Sequence, residues 1–124
     1  MAGCDIKEGE QLHPYHYTDA AAWDTGAQFT FISPRIVKAL NLCPCNEGVI
    51  MGIGGDAKVK TYKINLGLPN GYLISNLEVY CSDIDDYDVL IGMDIIALTD
   101  FCISNQDGNT LFSFNLPAKG NIAL

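Results

Sequence analysis

Residues 20–33 read Ala20-Ala21-Ala22-Trp23-Asp24-Thr25-Gly26-Ala27-Gln28-Phe29-Thr30-Phe31-Ile32-Ser33. A carboxylate here interrupts two apolar, strand-forming segments. That is an expensive place for a charge unless it is paired or hydrogen-bonded. Gly26 follows Asp24-Thr25 and lets the backbone turn tightly and be approached closely by another. Gln28–Ser33, rich in aromatic and β-branched residues, predicts a strand. Taken alone, Asp-Thr-Gly fits an ordinary turn equally well.

Working outward, Ser33-Pro34 supplies an N-cap and a proline at the first helical position. Ile36, Val37 and Leu40 then recur at helical spacing, predicting a short amphipathic helix over Pro34–Leu40. Lys58–Leu68 reads as a long strand, Asn70-Gly71 as a hairpin turn, and Tyr72–Ser82 as the return strand. On that return strand Leu77, Val79 and Cys81 share one face and Glu78, Tyr80 and Ser82 the other. Asp88–Ile91 predicts a short strand, and Asp94 is the expected cap of a second helix, Ile95–Leu98. Phe101–Ser104 and Thr110–Phe114 flank Gln-Asp-Gly-Asn, a second hairpin. No internal repeat, low-complexity tract or linker interrupts residues 1–124. The pattern predicts a single all-β domain, a barrel with one or two short helices.

Composition bounds the function classes. Of 124 residues, 48% are apolar and 18% charged, a globular balance. Lys and Arg total 7 against 15 Asp and Glu, a net charge of −8. An acidic surface repels nucleic acid and anionic membranes, so neither is an expected partner. No apolar run approaches the roughly 20 residues that span a bilayer. The polar stretch Met1–Glu10 does not read as a secretory signal. Five cysteines (Cys4, Cys43, Cys45, Cys81, Cys102) in no regular framework suggest reduced thiols and a cytoplasmic location.

Two further motifs join the first. Met51-Gly52-Ile53-Gly54-Gly55 makes a bendable hairpin tip with one apolar contact, or a plain glycine-rich turn. It lacks the Gly-Lys-Ser/Thr ending of a phosphate loop. Val89-Leu90-Ile91-Gly92-Met93-Asp94-Ile95-Ile96 is an apolar-apolar-glycine segment entering a helix. In this order, with Phe31-Ile32-Ser33-Pro34 leading through a helix to Leu40-Asn41-Leu42, the chain resembles the retropepsin-like aspartic proteases, over roughly residues 18–116. The resemblance implies a single-lobe acid-protease barrel and an aspartic endopeptidase acting on an extended peptide or protein. It implies Asp24, Thr25 and Gly26 as catalytic loop. It also implies substrate contacts from Ala27, Gln28 and the flap-like residues Met51, Gly52, Ile53, Gly54 and Gly55. Viral members often carry an acidic residue and an arginine where this chain has Gln28 and Met93. Both halves of that pair are missing, which resembles cellular members more than viral ones. Trp23 stands where the family usually has a smaller apolar residue.

The chemistry such a motif implies needs two carboxylates around one water, one ionised and one protonated. Only one Asp-Thr-Gly is present. The expectation is therefore a symmetric homodimer with Asp24 from each copy meeting on the axis, needing no metal or organic cofactor. Phe112–Leu116 is the C-terminal candidate for that interface. The rival reading is a peptide- or partner-binding module on the same fold. A metal-binding domain would draw on Cys43-Pro44-Cys45 and His13-Pro14-Tyr15-His16, but Cys-x-Cys is tighter than the usual zinc spacing. Asp83, Asp85, Asp86 and Asp88 read as a solvated turn, and Lys58, Lys60 and Lys63 as solvent-facing charges.

Overall fold

The computed structural model describes residues 4–8, 15–52, 54–69 and 71–116. The elements run β1 (Cys4–Glu8), β2 (Tyr15–Thr18), β3 (Ala21–Trp23), β4 (Phe31–Ile32), α1 (Pro34–Leu40), β5 (Asn46–Gly52), β6 (Gly55–Gly67) and β7 (Leu73–Cys81). They continue with β8 (Val89–Ile91), α2 (Met93–Ile96), β9 (Asp100–Gln106) and β10 (Asn109–Asn115). The chain is mostly β, with one sheet curled into a half-barrel. Its order is β2-β1-β6-β7-β4-β8-β3, with β5 attached to β6, and β9 and β10 form a separate two-stranded sheet.

Strand β6 serves twice. Gly55–Thr61 pairs antiparallel with β5, from Gly52↔Gly55 to Asn46↔Thr61. From Thr61 onward it pairs with β7 instead, and from Ile64 with β1 as well. Burial changes at the same point: 55–58 are exposed, whereas Thr61, Tyr62, Ile64, Asn65 and Leu66 are buried. The first half is thus a two-stranded ribbon and the second a central strand. Three consecutive buried residues are possible because the β6–β7 register slips between Ile64 and Leu66. There Asn65 Oδ1 accepts the N–H of Asn76, which has φ of 53°.

Strands β3 and β8 run parallel, and β4 lies between β8, antiparallel, and β7, parallel. Their inward side chains Ile32, Val79, Val89 and Ile91 meet Ile64, Leu66 and Ile95 in one fully buried cluster. Each such side chain contributes about 1.5–3 kcal/mol. Helix α1 closes this core with Ile36 and Leu40. It ends at Asn41, whose φ of 51° takes the left-handed conformation asparagine tolerates, with its N–H donated to Lys38 O at 3.2 Å.

Several sequence expectations are corrected. The strand predicted over Gln28–Ser33 shrinks to Phe31–Ile32, because backbone groups of its first residues bind the β8–α2 junction instead of a ladder. Asp94 is not the N-cap of the second helix: Gly92 is, the helix is Met93–Ile96, and Asp94 lies in its first turn, where its Oδ1 accepts the Ile95 N–H at 2.9 Å while the same carboxylate also binds Thr30. Ser33 occupies the N-cap of α1, but its side chain makes no capping bond and its buried Oγ has no partner among the described residues. Asp88 is not part of a solvated turn. Its carboxylate accepts the Thr18 hydroxyl at 2.6 Å and Arg35 Nε at 3.1 Å, while Arg35 also donates to the carbonyls of Asp85 and Tyr87.

Candidate active site

Asp24 follows the last residue of β3, and its N–H donates to Ile91 O at 2.8 Å. That bond carries the β3–β8 pairing one residue past the strand before the chain turns away. Gly26 N–H donates to Asp24 Oδ1 at 2.9 Å, and Ala27 N–H to Asp24 O at 3.2 Å. The turn therefore closes on its own carboxylate. A Cβ at Gly26 would sit 3.3 Å from that oxygen, tighter than most real contacts, which is the local reason for glycine. Asp24 is half-buried, while Thr25 and Gly26 are exposed.

The loop is then tied to the β8–α2 junction. Met93 N–H donates to Ala27 O at 2.8 Å and Asp94 N–H to Gln28 O at 3.2 Å. Fully buried Thr30 gives its hydroxyl to Asp94 Oδ1 at 2.7 Å and its N–H to Oδ2 at 3.0 Å, and its Oγ accepts Gly92 N–H at 3.1 Å. Gly92 is needed at this crossing: a Cβ there would fall 2.3 Å from Phe29 O and 2.9 Å from Ala27 O. The first and last motifs of the sequence are thus two halves of one knot, and the knot fixes where Asp24 stands.

Opposite the loop lies the β5–β6 hairpin. A cleft of about 390 Å³ separates them, lined by Gly26, Ala27, Gln28, Phe29, Phe31, Val49, Ile50, Met51 and Tyr80. Consecutive residues Val49, Ile50 and Met51 all border it, so β5 meets the cleft along its edge rather than with one face. Of the expected site residues, Gly26, Ala27, Gln28 and Met51 meet at this cleft. Gly52 and Gly55 pair across the hairpin end, and Gly54 is exposed beyond them. Ile53 lies outside the described residues. Met51 is 83% exposed.

Sequence reasoning missed Phe29, Phe31, Val49, Ile50 and Tyr80. Tyr80 was legible as a residue on the face of β7 opposite Leu77, Val79 and Cys81, but nothing local says what it meets. The Tyr80 ring stacks on Phe29 at 4.9 Å between centroids and 18° between planes, and lies 5.8 Å from Phe31. Gly48 of β5 marks the approach: a Cβ there would lie 2.5 Å from Tyr80 Cε2.

Behind the loop, Trp23 packs on Phe101, Phe112 and Phe114 of the β9–β10 hairpin at 5.5, 5.8 and 4.8 Å. Its size is explained by this intramolecular contact, which docks the second sheet onto β3. Phe114 and Leu116 lean on the chain's own core, whereas Phe112 is partly exposed. Cys43 and Cys45 are exposed free thiols on the link from α1 to β5. His16 lies on β2, and His13 is outside the described residues. Among the described residues, no helix is long and apolar enough to cross a membrane. Lys58, Lys60 and Lys63 are exposed. The chain matches no protein-family model, and no curated protein matches it at a significant level.

Proposed function

We propose that the protein is an aspartic endopeptidase of retropepsin-like fold, working as a homodimer on extended peptides. The observation that carries this reading is the setting of Asp24. It sits two residues before Gly26, the first of the loop residues that line the cleft, on a turn held by both β3 and the β8–α2 junction, although Asp24 and Thr25 do not themselves line it. The bond from the Gly26 N–H engages Oδ1 of the Asp24 carboxylate, and the residue stays half-open to solvent.

One carboxylate is half a catalyst. No acidic side chain lines the cleft among the described residues, so on this reading the carboxylate that joins Asp24 comes from a second copy. Two carboxylates in contact cannot both ionise and share a proton. The ionised Asp24 takes a proton from water as its oxygen attacks the peptide carbonyl, while the protonated Asp24 of the other copy donates to the carbonyl oxygen. The resulting gem-diol collapses with protonation of the amine, and the C–N bond breaks. The hairpin closes over the chain, excludes water and offers backbone groups along the edge of β5.

The test is peptide cleavage with the full chain. Asp24→Asn lowers cleavage by at least about a thousandfold, with the sedimenting mass unchanged, and wild-type activity per chain falls on dilution below the dimer dissociation constant. Activity per chain that stays constant through complete dissociation overturns the shared site. Absence of cleavage from about pH 3 to 8, with tight peptide binding that survives Asp24→Ala, replaces the enzyme with a binding module.

A further inference from the structure

We infer that Phe29, Phe31 and Tyr80 form a side-chain subsite that selects an aromatic residue of the bound peptide, with Tyr80 as its specificity-determining residue. The inference rests on the cleft being the peptide site of the proposed endopeptidase, and it names the substrate class that site prefers.

Three observations carry it. The ring stack borders the same cleft as Gly26–Gln28 and Val49–Met51, so a residue a short way along the peptide from the cut bond reaches it. No charged side chain lines that cleft, although the chain carries a net charge of −8. A cationic side chain entering it would lose water without gaining a counter-charge. Phe29 is 38% exposed despite its stacking partner. Its partly open ring can extend a stack rather than merely cover area, and only an aromatic guest gains the extra stabilisation of ring on ring. That increment corresponds to a preference of about three- to tenfold over leucine. Gly48 adds a coupling. With no side chain there, β5 rests against the Tyr80 ring, so a guest that shifts this ring also shifts the hairpin.

The test uses the full-length Asp24→Asn protein, which reads binding without turnover. The probes are acetylated, amidated alanine hexapeptides with one guest residue: Ala, Leu, Phe, Trp, Arg or Glu. Calorimetry or amide chemical shifts give each dissociation constant. Phe and Trp guests bind about three- to tenfold tighter than Leu, Tyr80→Leu abolishes the difference, and Tyr80→Phe keeps it. Phe29→Leu, at a more exposed position, gives the same loss if Tyr80→Leu fails to fold. Equal binding of Leu, a best fit for Arg or Glu, no binding of any guest, or a ratio untouched by both variants overturns the subsite. The two readings fail separately. Discrimination by the Asp24→Asn protein with no cleavage by wild type removes the endopeptidase and keeps the subsite. Asp24-dependent cleavage indifferent to the guest and to Tyr80 does the reverse.

Discussion

The two walls of the cleft are held in opposite ways. The loop wall, residues 24–30, is bound to a segment more than 60 residues away by backbone and side-chain hydrogen bonds around fully buried Thr30. The hairpin wall has its own ladder, and before Thr61 its side chains are largely exposed. Its approach to the rest of the molecule at Gly48 is onto the edge of the Tyr80 ring. Hydrogen bonds to the rest of the molecule are thus concentrated around the Asp24 turn, while the hairpin is held mainly by its own ladder. Local opening is expected to follow the same division, since exposed ladders with few buried apolar contacts open most readily.

One pair of substitutions tests this contrast most directly. Gly92→Ala places a methyl group 2.3 Å from Phe29 O and 2.9 Å from Ala27 O, backbone atoms that cannot step aside without dragging the Asp24 turn. Its cost lies at or above the upper end of the usual overpacking range, about 3 kcal/mol. Gly54→Ala, at the hairpin end, meets open space at a φ that alanine accepts, and changes stability by less than about 0.5 kcal/mol. Urea unfolding of both variants measures the difference. Equal effects would mean that the hairpin end is as tightly determined as the knot.

Next in size is Thr30→Val. It keeps the shape of the side chain but removes the hydroxyl that joins Asp94 to the Gly92 N–H, leaving a buried donor unpaired. The expected loss is about 1–3 kcal/mol. Cleavage should fall further than stability alone explains, because the turn carrying Asp24 hangs from the same crossing. Unchanged stability would show that the backbone bonds of Met93 and Asp94 hold the loop unaided.

How much of this was legible in the sequence follows from the range of each interaction. Helix α1 was readable over Pro34–Leu40 because the Ser33-Pro34 start and the apolar spacing of Ile36, Val37 and Leu40 are local. The two hairpins were readable for the same reason; Asp107 and Gly108, with φ of 51° and 80°, form the two-residue turn of the second. The strand over Gln28–Ser33 was overestimated because residue preference does not know that the carbonyls of Ala27 and Gln28 are taken by Met93 and Asp94. Asp94 does bind the Ile95 N–H locally, but its further tie to Thr30, 64 residues away, could not be seen, and the helix starts one residue before it. Asp88 resembled its neighbours in a charge run until the fold brought Thr18 and Arg35 to it. In the site, the motif residues were visible as chemistry, whereas Tyr80, Phe29 and Phe31 were visible only as strand residues until the topology stacked them.

The smallest effect separates the walls by pH. Burial pushes the Cys81 thiol above its ordinary value of 9.0, and burial, followed by the nearby Cys81 and Cys43, pushes the Tyr62 hydroxyl above 10.0. Both belong to the anchored half, on β7 and on the central part of β6. A raised folded-state value means that the unfolded chain releases its proton first as pH rises. The stability these groups contribute is therefore complete below the ordinary values and is lost as pH climbs through the folded ones. The urea midpoint of the wild type should thus decline between pH 8 and about 10.5, and Tyr62→Phe, which keeps the ring in the core and removes the proton, should flatten that decline. Cys45→Ala, at the base of the hairpin where the thiol is exposed, should leave it unchanged. If the hairpin variant flattened the curve as much as the core variant, the alkaline loss would arise from charge spread over the surface rather than from burial within the anchored sheet.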